Sequence, residues 1–379
     1  MEDGDREENS AGEPSTKLKK TDDNSQDDAY FKSYSSTDVH ALMLEDKVRT
    51  LTYRLALVRA KRRLTGGVLL DVGCGTGILS MFGAKAGASH VYAIDATASL
   101  CKLARRIIAE NGLSSCITVI NNRAEDVQLE VDCVDAIVSE WMGHVLLFEN
   151  MLPSVLRTRD RFLNPPPSAN ITDLSTWRRE RLFPCRATLY IAGFSDTPED
   201  SYDPEEPGYS INEDLWKEIS ELYEVDLTGA FSSAVRNDSE RQIHVDLMDQ
   251  KCIITRASEI ATLDLATLSP DELTEHGVKG FFALKSMGTA DLRGFVIWFT
   301  VEFPDGDVLS TSPYKKPTHW QQSLLYISEP LSLVQDDVLS GEIHFTHPAD
   351  SPRDLSVDVN FVMNYAEETR VKRTYCLSS

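Results

Sequence analysis

The sequence predicts an α/β Rossmann-like domain followed by an antiparallel β-domain, on three observations. Apolar strand-like runs alternate with helical patterns from Gly67 to Trp141. A glycine cluster, GCGTG, stands between the first of those strands and the helix after it. Beyond Phe183 the helical period fades, and β-forming runs are separated by turns.

Taken in order, residues 1 to about 28 hold almost nothing that could form a core and read as a disordered acidic tail. From Tyr30 to Arg62, apolar residues recur at helical spacing: Val39, Leu42, Met43, Val48, Leu51, Leu55 and Val58. GVLLDVG is then a buried strand and GILSMFGAKAG the helix after the glycine turn. HVYAID is a second strand, and SLCKLARRIIAENG a helix closed by Gly112. ITVINNRAEDV and VDAIVSEW supply strands three and four. The segment 164–181, NPPPSANITDLSTWRRER, reads as a surface insertion, a disordered loop rather than a partner contact through Trp177, Arg178 and Arg179. The second domain is read from 183 to 379, through RATLYIAG, FVIWFTVEF, WQQSLLYI, GEIHFTH and LSVDVNFVM. An acidic, aromatic stretch at about 203–235 interrupts it as a helical excursion.

Composition narrows the function. At 379 residues the chain is long enough for two domains. No apolar run reaches the roughly 18 to 20 residues that span a bilayer, and no signal peptide opens the chain, so no membrane role is expected. Seven scattered cysteines without CxxC spacing argue against a disulfide framework or zinc site and for a reducing compartment, cytoplasm or nucleus. The formal net charge of -22 argues against direct nucleic-acid binding and suits basic partners, though it serves solubility equally well.

The glycine loop carries the first chemistry. Gly73, Gly75 and Gly77 permit positive φ and let a ligand approach the backbone. Asp95 ends the next strand, where a carboxylate can take ribose hydroxyls. The bound nucleotide is NAD or S-adenosylmethionine. The compact DVGCGTG run, opening on Asp71, differs from the GxGxxG that seats a pyrophosphate on a helix N-terminus. It resembles motif I of class I S-adenosylmethionine methyltransferases. Glu125, in the loop after strand three, is placed to meet the adenine.

A second signal is SEWMGHVLLFENML, residues 139–152, where two glutamates stand in apolar company. Burying an unpaired charge is costly, so two acids there need a partner. The stretch resembles the double-E loop of protein arginine methyltransferases. YFKSYSSTDVHALMLEDKVRT resembles that family's N-terminal helical segment, RATLYI the entry to its β-barrel, and Thr318-His319-Trp320 its THW triplet. The resemblance spans roughly residues 30 to 375.

It implies a Rossmann-like S-adenosylmethionine-binding domain, an antiparallel β-barrel domain with a helical dimerisation arm, and a head-to-tail homodimer. It implies methyl transfer to a terminal guanidino nitrogen of basic protein substrates, RGG-type or histone tails. Tyr30 and Tyr34 would close over the cofactor, with His40 beside them. Arg49 would hold its carboxylate, while Asp71, Gly73, Gly75 and Asp95 line its amino-acid and ribose parts. Glu140 and Glu149 match the double-E pair, His319 pairs with Asp46, and Met43 sits beside the transferred methyl. Met43 and the THW triplet resemble the type I subgroup, whose end product is asymmetric dimethylarginine. No metal is called for, because the sulfonium electrophile is already activated. Four departures stand out: HALM where the family has HEEM, His144 where it has tyrosine, Asp95 in place of a glutamate, and the 164–181 insertion. The first two keep open a catalytically weak or silent regulatory subunit of a paralogous enzyme.

Overall fold

The computed structural model describes residues 24–33, 37–165, 171–195, 222–223 and 241–378. Tyr34 and, apart from Leu222 and Tyr223, the proposed arm lie outside the described residues.

The N-terminal domain is built on five parallel strands: β1 (Val68–Val72), β2 (His90–Asp95), β3 (Ile117–Asn121), β4 (Ala136–Ser139) and β5 (Leu182–Phe183). They lie in the order β3-β2-β1-β4-β5. The order reverses between β1 and β4, and in such sheets ligands bind in the crevice beyond the carboxyl ends at that switch point. The near-continuous burial of β1, β2 and β4 is what a sheet covered on both faces requires.

The segment before β1 folds as helices α1 (Asn24–Ser33), α2 (Thr37–Glu45), α3 (Lys47–Arg59) and the single turn α4 (Lys61–Leu64). Two sequence expectations need correction here. Residues 24–28, assigned to a disordered tail, begin α1. Their anchors come from the far end of the chain: the Gln26 side chain bonds Asp354, and Asp27 pairs with Arg353. A local reading has no access to partners so distant in sequence. The apolar stripe is also partly misdirected, since Leu42, Leu51, Leu55 and Val58 are exposed. The buried face of α3 is instead Arg49, Tyr53, Ala56 and Leu57. The Tyr53 hydroxyl donates to the Ser139 carbonyl at 3.0 Å and packs edge-on against Phe303, which sets the face that turns inward.

Helices α5 (Ile78–Ala86) and α6 (Ala98–Glu110) follow β1 and β2, with Gly112 at φ +70 just past the end of α6. After β4 come α7 (Leu152–Phe162) and α8 (Leu174–Arg179). Helix α8 corrects the surface-insertion reading. Trp177 and Arg178 are buried, Arg178 pairs with Asp160 at 2.9 Å, and Arg179 pairs with Asp264 at 2.5 Å. These residues, expected in a disordered surface loop, are used within the fold. Asp173 caps α8 by accepting the N–H groups of Ser175 and Thr176.

The second domain holds β6 (Arg186–Phe194), β7 (His244–Asp246), β8 (Ser258–Asp264), α9 (Pro270–His276), β9 (Val278–Lys285), β10 (Ala290–Glu302), β11 (Val308–Ser310), β12 (Gln322–Leu333), β13 (Val338–Thr346), β14 (Leu355–Met363) and β15 (Ala366–Leu377). One antiparallel sheet runs β7-β12-β10-β6-β8, with β11 on β10, and a second runs β15-β14-β13-β9. They are stitched together at both edges. Thr255 bridges Ser286 on one side and Gln242 bridges Cys376 on the other, so the strands curl into a barrel. Phe295, Phe361, Phe345 and Tyr375 fill its interior.

The barrel is keyed to the first domain by Trp320, whose indole N–H donates to the Met142 carbonyl at 2.7 Å. Arg59 and Asp307 add an ion pair at 2.6 Å. The switch-point crevice is thereby walled by residues from both domains.

Candidate functional site

A cavity of about 370 Å³ opens at the carboxyl ends of β1 and β4. Its floor is the glycine loop. Gly73, Gly75 and Gly77 have φ of 74°, 52° and 80°, left-handed values that favour glycine. A Cβ on Gly73 would stand 2.5 Å from the Met151 methyl. One on Gly75 would stand 3.4 Å from the His40 ring. The loop is pinned by Asp95, whose carboxylate accepts from the Gly75 N–H at 2.9 Å and from the Thr97 N–H at 2.8 Å.

Tyr30, His40, Met43, Arg49, Gly73, Gly75, Asp95, Glu125, Glu140, Glu149 and His319 all line this one cavity. Asp71 and Asp46 stand behind the lining. Asp71 lies under the glycine loop, fully buried, and accepts from the Ser80 hydroxyl at 2.6 Å, while its other oxygen has no partner among the described residues. This corrects the expectation that Asp71 touches the ligand: its side chain packs between β1 and α5, where Ser80 holds it.

Burial pushes the Asp71 carboxyl up to about 7, against the hydrogen bonds from Ser80. The sign of the pH effect follows. An acid raised on folding resists ionisation in the native state, so stability falls as pH rises from the ordinary carboxylate value toward 7. At about 1.4 kcal/mol per unit, the loss approaches ~4 kcal/mol. Asp71→Asn should flatten the stability–pH curve between pH 4 and 7, as read by urea unfolding at fixed pH steps. An unchanged slope would place the titrating group elsewhere.

Asp46 does two jobs. One oxygen caps α3 through the Arg49 N–H at 2.9 Å. The other accepts from the His319 backbone N–H at 3.0 Å and meets the ring Nδ1 at 2.8 Å. Burial works to raise this carboxyl, but the hydrogen bonds from His319 and Arg49 outweigh it and hold it below its ordinary range. The pairing orients the His319 ring at the cavity wall from across the domain boundary.

The loop after β4 puts the two glutamates in place. The Ser139 hydroxyl donates to the Val72 carbonyl at 2.8 Å, tying the ends of β4 and β1 together, and Glu140 follows directly. Arg49 Nε donates to Glu140 Oε2 at 3.1 Å, both side chains being over nine-tenths buried. The chain then turns sharply, with Gly143 bridging Leu146 and with Val145, Leu146, Glu149 and Asn150 all at positive φ. Gly143 is required there, since a Cβ would stand 2.1 Å from the Phe148 carbonyl. This winding returns Glu149 to the same cavity as Glu140.

His144 lies between the lobes, its Nδ1 3.2 Å from the Trp320 carbonyl. A carbonyl can only accept, so Nδ1 carries the hydrogen. Burial, with His319 adding to it, depresses this imidazole below its ordinary value, so it stays neutral at pH 7. Glu125 accepts from the Ser154 hydroxyl and faces Arg123 at 3.9 Å. The Tyr30 phenol is pushed up by burial and by Glu149, with Arg353 acting against them. Arg353, on the β13–β14 loop, lines the cavity and carries no signal in its local sequence.

Comparison with known proteins agrees with this geometry. Residues 69–166 match the family description "Methyltransferase domain", and residues 185–366 match "Arginine methyltransferase oligomerization subdomain". Protein arginine N-methyltransferase 6 of Xenopus tropicalis is 35% identical over 347 residues, 91% of this chain and 94% of that protein. Protein arginine N-methyltransferase 1 of Dictyostelium discoideum is 35% identical over 354 residues, 93% of each. The chain belongs to the protein arginine N-methyltransferase family.

Among solved structures, the Trypanosoma brucei PRMT1 enzyme–prozyme heterotetrameric complex with AdoHcy aligns at a TM-score of 0.75 with 30% identity. It covers 91% of this chain and 99% of that one. Arabidopsis thaliana protein arginine methyltransferase 10 aligns at 0.74 with 28% identity, covering 92% and 99%. This family member thus has the family's class I methyltransferase fold and carries its oligomerisation subdomain.

The donor set fits a nucleoside with an amino-acid tail. Asp95 and Glu125 could accept hydrogen bonds from ribose and base edges, the Arg49 guanidinium suits a carboxylate, and the bare Gly73 and Gly75 leave room for close approach.

Proposed function

We propose that the chain is an active type I protein arginine methyltransferase, forming mono- and asymmetric dimethylarginine on basic, arginine-containing protein substrates. One observation carries the reading: a single cavity is lined both by the glycine loop and by both glutamates of the double-E loop. The cofactor is S-adenosylmethionine, which supplies a methyl group already activated on a sulfonium.

The chain's residues do the rest. Glu140 and Glu149 hold the substrate guanidinium by charge-assisted hydrogen bonds, fixing its plane and drawing positive charge toward the nitrogens they contact. The remaining terminal nitrogen is thereby aimed for displacement, a gain of orientation and electrostatics. Trp141, Met142 and Phe148, all buried, dry the site and strengthen those bonds. His319, with Nδ1 committed to Asp46, keeps Nε2 to accept the released proton. Met43 at the cavity wall supports the type I product. Acidic surface charge favours RGG-type or histone-tail substrates, and cysteines outside any disulfide favour the cytoplasm or nucleus.

A head-to-tail homodimer is supported by the exposed apolar residues Leu51, Leu55 and Val58 on α3, which suit a second subunit. The rival reading, a silent regulatory subunit, draws on Ala41, Leu42 and His144. Mass spectrometry of an RGG-rich peptide incubated with the protein and labelled S-adenosylmethionine decides between them. Mono- and asymmetric dimethylarginine are expected. Cofactor binding without transfer would favour the regulatory subunit, and neither binding nor transfer would sink both.

A further inference from the structure

We propose that Arg353 is a positioning residue that latches the helix over the cofactor cavity to the second glutamate of the clamp. The inference rests on the methyltransferase reading and adds a coupling to it: cofactor binding and clamp assembly become one event.

Two sets of contacts meet on this side chain. Towards the clamp, Arg353 Nη1 donates to the Glu149 carbonyl at 2.8 Å, and the Arg353 carbonyl accepts from the Glu149 N–H at 3.0 Å. Both main-chain polar groups of Glu149 thus bond one residue of the barrel domain. The neighbouring Asn150 side chain donates to the Pro352 carbonyl at 2.9 Å. Glu149 and Asn150 have φ of 71° and 55°, a conformation that non-glycine residues keep only when their surroundings impose it.

Towards α1, Arg353 Nε and Nη2 reach Asp27 Oδ1 at 2.7 and 2.6 Å. The guanidinium carbon sits 3.8 Å from the centroid of the Tyr30 ring, and that ring lines the cavity. Gln26 adds a contact to the Arg353 N–H at 3.2 Å. A second charged partner of Asp27 is Arg123 at 2.7 Å, in the loop after β3 that also lines the cavity.

One planar fork therefore ends on the roof and on the clamp at once. A ligand packing under Tyr30 favours the docked α1, the docked α1 holds the Arg353 fork, and the fork holds Glu149. Linkage then requires that cofactor and guanidinium bind more tightly together than apart. Lysine keeps the charge but cannot bond Asp27 and Glu149 while stacking on Tyr30.

The test measures S-adenosylhomocysteine affinity by calorimetry and peptide methylation kinetics for wild type, D27A, R353A, R353K and the D27A/R353A double variant. R353A is expected to lose ~10-fold in S-adenosylhomocysteine affinity and ~10-fold or more in kcat. The double variant should lose less than the sum of the two single losses, because one link is cut twice. R353K should recover at most part of either loss, and it carries the test should R353A fail to fold. Affinity and kcat within twofold of wild type in R353A or R353K, or additive losses in the double variant, would overturn the latch. Should the wild type transfer no methyl, the enzymatic reading fails by itself, and the affinity cycle still decides the latch.

Discussion

Glu140→Gln is expected to lower kcat by ~10²–10³-fold while leaving S-adenosylhomocysteine affinity within a few-fold of wild type. The substitution keeps the shape of the side chain and one accepting oxygen, so Arg49 retains a hydrogen bond and the loop its winding. It removes the negative charge and turns one acceptor into an N–H₂ donor that faces the donors of an incoming guanidinium. In a site where Glu140 and Arg49 are over nine-tenths buried, that charge acts in a low dielectric and orients its partner strongly. Steady-state methylation and calorimetry on the same preparation check the expectation, with thermal unfolding as the control for folding. Parallel losses of affinity and turnover would mean that Glu140 serves the cofactor rather than the guanidinium.

Gly75→Arg should reverse that pattern, removing S-adenosylhomocysteine binding by at least ~10³-fold, about 4 kcal/mol, and turnover with it. Gly75 lies at φ 52°, and its Cβ would point toward His40, so a long charged side chain there fills the cavity floor. Gly75→Ala separates the two contributions. Its Cβ meets His40 at an ordinary 3.4 Å, so it should cost only about 1 kcal/mol of backbone strain. Calorimetric titration of both variants suffices. Retained binding in Gly75→Arg would mean that the ligand lies away from the glycine loop.

Much of the site is legible in the amino-acid sequence, and the reason is local. The glycine turn, the acid ending β2 and the paired glutamates each depend on residues close together along the chain. Where partners come from afar, local reading fails. The start of helix α1 is hidden because Asp27 is anchored by Arg353. The stripe Leu51–Leu55–Val58 points the wrong way because Tyr53 seats α3 on the end of β4 and on Phe303. Trp177 reads as a surface residue because a proline-rich stretch precedes it, yet α8 buries it.

By itself the sequence determined the alternation of strands and helices, the left-handed glycine turn and the chemical types gathered for guanidinium and nucleoside. Those follow from backbone sterics and side-chain chemistry, which each residue carries with it. Only the tertiary structure decided that Asp71 lies under the loop rather than in the cavity, and that Arg353 joins roof to clamp. The Asp71 contact comes from seating a helix on β1, whereas the Arg353 contacts join segments as much as 326 residues apart and arise from packing two domains against one crevice.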